Sequence, residues 1–262
     1  MKLPIYQVDA FTDHLFGGNP AAVVPIEEQW PTDEMLQKIA IENNLAETAF
    51  YQKKEDHYKL RWFTPEFEID LCGHATLASA HVIFNYQDYQ GDAVSFQTMS
   101  GELVVKKVNG LLQLDFPARK PEISSLSEEQ LKAFNIQPVE ILKSRDYFLV
   151  YNSEAEIRSL KVNNGLLDPK DFHKGGIICT AKGDEVDFVS RFFLPGASVF
   201  EDPVTGSAHC SLIPYWAEKL GKDNMVAQQL SDRLGDLTCT NDGDRVLIAG
   251  SAITFLKGEI EV

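Results

Sequence analysis

Hydrophobic and polar positions alternate along Ile5-Tyr6-Gln7-Val8-Asp9-Ala10-Phe11, which predicts a β-strand. Phe16-Gly17-Gly18-Asn19-Pro20 predicts a turn into the apolar Ala21–Val24. The period then lengthens. Met35, Leu36, Ile39 and Ala40 form one stripe of a helix, with Thr32 as its N-cap and Asp33 and Glu34 in its first turn. Short strands follow at Leu45–Tyr51 and Tyr58–Thr64. From Gly73 to Phe84 the chain is apolar on every side, the pattern of a helix buried all round. Ala93–Thr98, Glu102–Lys107 and Leu111–Phe116 read as strands joined by Ser-Gly and Asn-Gly turns.

Pro117–Ser127, rich in proline and serine, reads as a link between two halves, 1–118 and 119–262, with the last strand able to return to the first half. In the second half, capping boxes at Ser127 and Ser153 open short helices. Tyr147–Tyr151, Gly175–Thr180 and Val186–Phe193 read as strands. A second apolar helix carries Ser211, Leu212, Ile213, Tyr215 and Trp216; Pro214 would kink it outside the first turns. Asp236–Thr240, Arg245–Ala249 and Ile253–Val262 close the chain as strands. Many antiparallel strands, few helices and no βαβ alternation predict an α+β protein and not a Rossmann sheet.

The halves echo each other. Arg61-Trp62-Phe63-Thr64-Pro65 and Arg191-Phe192-Phe193-Leu194-Pro195 each precede one of the buried helices. At that offset, taken without gaps, Cys72 falls on Asp202. Each half thus supplies an acid/base-capable residue just before a helix N-terminus, where free N–H groups favour an anion. Two such halves facing across a cleft would bring two proton-handling groups to one ligand.

Composition narrows the partners. A net charge of −15, spread along the chain, disfavours nucleic acid. No apolar run approaches a membrane span, and the N-terminus shows no secretion signal, so a cytoplasmic protein is expected. Four scattered cysteines form no zinc-type spacing. No Gly-Lys-Ser/Thr follows Gly17-Gly18, which excludes a P-loop. Glu47, between Ala46 and Thr48 on an apolar strand, is either an edge charge or a buried carboxylate suited to general acid/base work. Cys72 and His74 open the first buried helix, whose N-terminus would favour a thiolate.

Four blocks together resemble the PhzF family of phenazine-biosynthesis-like isomerases: Phe16–Val24, Leu45–Phe50, Leu71–Thr76 and Glu201–Ala208. Gly243–Gly250 also fits. The resemblance implies the diaminopimelate-epimerase-like fold, with two pseudo-symmetric domains, each an antiparallel barrel-like sheet around a central helix. It implies that Glu47 takes a proton from one carbon and returns it to another. It implies that His74 and Asp202 hold the substrate and tune the transfer, and that Gly73 and Ser207 bind its carboxylate, beside Asn19 and Gly206. No metal or organic cofactor is required, and family precedent suggests a homodimer. Cys72 stays a candidate proton donor, since epimerase relatives pair two cysteines. A racemase using Cys72 with Asp202 or Glu47, and a non-catalytic small-molecule binder, are the alternatives. One loop departs from the family: Arg233-Leu234-Gly235 stands where Arg-Gly-Gly is expected.

Overall fold

The computed structural model describes residues 1–172 and 175–262. The chain forms two compact units, Met1–Phe116 with Ile248–Val262, and Pro117–Leu247. The second unit therefore ends at Leu247, not at residue 262. The reason is the strand Ala252–Glu261, which runs antiparallel along Lys2–Ala10 over the whole length of that strand.

In the first unit, hydrogen-bonded neighbours succeed one another from Ala252–Glu261 through Lys2–Ala10, Asn19–Pro25, Glu47–Lys53, Tyr58–Phe63, Ala93–Thr98 and Gly101–Val108 to Leu111–Pro117. The helix Gly73–Tyr86 packs against five of these strands. All but three of its fourteen residues are buried, including Leu77, Val82 and Ile83. A helix so enclosed cannot be amphipathic, which accounts for its uniformly apolar sequence. A second layer covers the outer face of the sheet: helix Asp33–Asn43, capped by Thr32, buries Leu36, Ile39 and Ala40 against Val24, Phe50 and Phe63.

The second unit repeats the plan. Its strands succeed one another from Glu122–Ile123 through Glu140–Lys143, Tyr147–Val150, Ile177–Lys182, Phe188–Phe193 and Asn224–Gln229 to Gly235–Asp242. The helix Gly206–Leu220 is its apolar centre. Trp216 stacks on Phe188 and donates its indole N–H to Thr180 Oγ1 at 2.9 Å.

The α+β class stands, but the pairing is mixed rather than antiparallel. Asn19–Pro25 pairs parallel to Glu47–Lys53, and Tyr58–Phe63 to Ala93–Thr98. In the second unit Tyr147–Val150 pairs parallel to Ile177–Lys182, and Phe188–Phe193 to Asn224–Gln229. Each parallel pair is bridged by helix, as parallel neighbours require a crossover. The strand Asn224–Gln229 escapes the hydropathy pattern because polar Gln229 is one of its inward residues, with Met225 and Ala227.

Pro214 lies in the third turn of its helix, beyond the first turns where proline is tolerated. It cannot donate to the Cys210 carbonyl one turn back. The backbone N–H of Arg119 takes that acceptor instead, at 2.8 Å.

Candidate functional site

Three local devices assemble the cluster in the first unit. The first is the turn before Asn19. Phe16 and Gly18 both adopt positive φ, 70° and 58°. The Phe16 N–H donates to the Asp9 carboxylate at 3.0 Å. A Cβ on Gly18 would stand 2.1 Å from the Ala10 carbonyl oxygen, so only glycine fits. The turn delivers Asn19 fully buried at the start of its strand.

The second device is the parallel pairing of Ala21 with Glu47, which starts the next strand alongside. Glu47 keeps its side chain 16% exposed, while Oε2 itself is buried. The third is the start of the central helix. Cys72 is the N-cap residue and makes no side-chain cap bond. Thr76 donates its hydroxyl and its N–H to the Cys72 carbonyl, closing the first turn. Cys72 and His74 are thereby fixed on one buried turn.

His74 joins the group. Its Nε2 lies 3.0 Å from Glu47 Oε2, an ion-pair contact outside aligned hydrogen-bond geometry. Its Nδ1 lies 3.2 Å from Asn19 Nδ2 and 3.5 Å from Cys72 Sγ. Burial works against a charge on His74, but Cys72 and Glu47 beside it outweigh burial and hold its pKa well above 6.5. The Cys72 thiol goes the other way. Burial, with the Glu47 charge added, pushes it up to about 11 against the pull of His74. The thiolate expected at a helix N-terminus is thus not favoured, because desolvation exceeds what the helix dipole returns. The fold brings Asn19, Glu47, Cys72 and His74 together, with Gly73 opening the helix between the thiol and the imidazole.

The second unit builds its counterpart around Asp202. Thr205 donates its hydroxyl to Asp202 Oδ2. Gln229, fully buried, accepts from the Thr205 N–H at 2.8 Å and donates to the Asp202 carbonyl at 2.7 Å. Gly206 and Ser207 open the helix. His209, one turn in and fully buried, lies with Nδ1 2.8 Å from the Thr205 carbonyl; burial drives its pKa down to about 4. It is therefore a neutral donor. Thr205 lies inside the Glu201–Ala208 block and Gln229 opens the stretch Gln229–Asp236 that resembles a family loop, but the sequence singles out neither as a site residue.

The ungapped match of Cys72 with Asp202 does not survive in the structure. Arg61 forks Glu68 with two bonds of 2.7 Å, and Arg191 forks Glu201 in the same way. Each glutamate sits in a two-residue strand, in Glu68–Ile69 and Glu201–Asp202. Ile69 pairs with Trp62, and Asp202 with Phe192. Asp202 thus matches Ile69, and the helix N-cap Cys72 matches Thr205. Three extra residues before Glu201 account for the shift. In the departing loop, Leu234 takes φ 56°, the left-handed conformation that the expected glycine would adopt at little cost.

The class is a mixed-sheet α+β unit built twice around a buried helix, the first copy holding the Glu47 carboxylate against the His74 imidazole. Comparison with known proteins sharpens this. The chain belongs to the PhzC-PhzF family of phenazine biosynthesis-like proteins, whose model matches residues 8–258. It is 47% identical to an uncharacterised isomerase of Pseudomonas aeruginosa, over 100% of both chains. Crystal structures of PhzF-family proteins from Enterococcus faecalis and Clostridium difficile superpose with TM-scores of 0.95 and 0.92, at 46% and 47% identity. The first comparison covers 100% of both chains, and the second 99% of this chain and 100% of the other. A hydroxyproline epimerase of Agrobacterium vitis, 9% identical with a TM-score of 0.62 over 99% of this chain and 92% of its own, shares the fold alone.

Proposed function

We propose that this protein is an isomerase that moves a proton between carbons of a small carboxylate substrate without a cofactor. The observation that carries the reading is the Glu47–His74 contact at 3.0 Å beside the buried Asn19, Cys72 and the helix start. Glu47 is the cluster's least buried donor and the one open to a ligand. Its carboxylate accepts a proton from a carbon beside an unsaturated or carbonyl group. The electron pair left behind delocalises into that group. Glu47 then returns the proton to another carbon, so atoms and charge balance and only the double bond has moved. The charged His74 stabilises the negative charge that passes through the site. Cys72 Sγ accepts from the Nδ1–H of the charged ring, and Asn19 borders that nitrogen. In the second unit the same reading assigns Asp202, held by Thr205, together with Gly206 and Ser207, to substrate holding. Relatives named isomerases support the reaction class.

A racemase with Cys72 as base is the weaker reading, since burial keeps that thiol protonated at neutral pH. The reading further expects a homodimer in the cytoplasm; sedimentation of the purified chain checks the assembly.

Incubation with a panel of unsaturated and 2-oxo carboxylates in deuterated water tests the proposal by deuterium entry into carbon. Glu47→Gln is expected to lower exchange at least about 100-fold, the scale of a lost general base. Cys72→Ser should retain most of it. Exchange that survives Glu47→Gln, or that Cys72→Ser abolishes, would overturn the assignment. Binding without exchange would favour a silent binder.

A further inference from the structure

We propose that Glu47, Cys72 and His74 form a binding site for a thiophilic divalent cation, best fitted by Zn²⁺, whose occupancy shuts the proton-transfer site. Ion binding stands on the geometry by itself; only the inhibition rests on the reading above.

One donor atom from each of the three residues lies within 4.8 Å of the other two. The Cys72 Sγ to His74 Nδ1 separation is 3.5 Å. Zinc bonds of about 2.3 Å to sulfur and about 2.05 Å to nitrogen, at a tetrahedral angle, place those atoms about 3.6 Å apart. The thiol and imidazole already stand at that spacing. Both are held by the helix turn that carries them, and the Asn19 amide nitrogen, 3.2 Å from Nδ1, yields that position to the ion. Glu47 Oε2, 3.0 Å from His74 Nε2, is buried and makes no aligned hydrogen bond. Glu47, the partly exposed member, rests against Nε2, and its carboxylate must swing toward the Nδ1 side to complete the tetrahedral shell.

The donor chemistry selects the ion. One sulfur, one nitrogen and one oxygen suit Zn²⁺ and Co²⁺, whereas Mg²⁺ and Ca²⁺ require oxygen shells. Three protein ligands leave a fourth position for water or a substrate carboxylate. The helix N-terminus opposes a cation with about half a charge, while the bound thiolate and carboxylate supply two full negative charges. On binding, the Cys72 S–H bond and the Nδ1–H bond of the charged His74 both break, two protons leave to solvent, and sulfur–metal and nitrogen–metal bonds form with no change of oxidation state. The Glu47 lone pair is then engaged and can no longer accept a proton from carbon. No sequence spacing announces such a site, because a separate strand supplies Glu47.

Co²⁺ titration of the purified, chelator-treated full-length protein provides the test. One ion per chain is expected, with four-coordinate d–d bands and a thiolate-to-cobalt charge-transfer band, and Zn²⁺ should displace it. Cys72→Ser should remove the charge-transfer band. Glu47→Gln should weaken Zn²⁺ binding by more than about tenfold, beyond the lower bound of outer-shell effects. Cys210→Ser, which alters another buried thiol, should change nothing. Circular dichroism confirms that each variant is folded, and Glu47→Gln, isosteric and partly exposed, keeps the test decisive. Six-coordinate spectra, a missing charge-transfer band, or a band that survives Cys72→Ser would overturn the site. Glu47-dependent deuterium exchange without cobalt binding would sink the metal inference alone. Cobalt binding without exchange on any substrate would sink the isomerase reading alone.

Discussion

The chemistry proposed at Glu47 depends on a residue with no side chain. Gly18 sits at φ 58° against the Ala10 carbonyl, and the next residue is Asn19, which touches His74. Gly18→Ala is expected to cost at least about 2 kcal/mol in urea unfolding, from left-handed strain plus a backbone overlap. It should also lower turnover in the folded fraction, because Asn19 is displaced. Unchanged stability would show that the turn relaxes freely. Two other residues show how environment overrides type. Cys72 stands at a helix N-terminus, yet burial holds its thiol protonated. Leu234 holds a conformation suited to glycine, and the family pattern at that position becomes legible as a backbone requirement.

Among the elements, the two central helices are the most readable and the strands feeding them the most informative. Each helix is preceded by an arginine–glutamate fork that pins a two-residue strand. Both arginines are largely buried, so these bidentate pairs hold geometry more firmly than surface pairs do. The second helix tolerates Pro214 because the Cys210 carbonyl it orphans is satisfied by Arg119. Pro214→Ala restores a competing N–H for that carbonyl. Hydrogen exchange should then show at least about fivefold faster exchange at the Arg119 amide and protection at residue 214, the scale of a hydrogen bond of about 1 kcal/mol. Unchanged protection at Arg119 would mean that the link, not the proline, dictates the contact.

At the scale of the whole molecule, buried histidines tie stability to pH. His209 titrates near pH 4 when folded, against 6.5 when exposed. Between those values the unfolded chain binds more protons, so stability is full above pH 6.5 and is lost as pH falls toward 4. The loss from His209 alone is on the order of 3 kcal/mol. His81, also lowered to about 4 by burial, adds in the same direction. His74 acts oppositely: its raised pKa gives stability that is present below pH 6.5 and lost as pH rises through its folded value. His209→Asn, which can keep a donor toward Thr205, should flatten the slope between pH 6.5 and 4 in denaturant titrations. A slope identical to the parent would refute the assignment.

The sequence by itself determined the class of fold, the two buried helices, most strands and the identity of Glu47, His74, Cys72 and Asn19 as candidates. Those features rest on local periods, caps and turns, or on motifs carried in short contiguous blocks. Tertiary structure decided that the C-terminal strand joins the first unit, that four strand pairs among the described residues run parallel, and that Thr205 rather than Asp202 matches Cys72. It also decided the protonation of Cys72 and the role of Gln229, a polar residue made inward-facing by its hydrogen bonds. Strand partners, register and desolvation depend on residues far apart in the chain, and no local period encodes them.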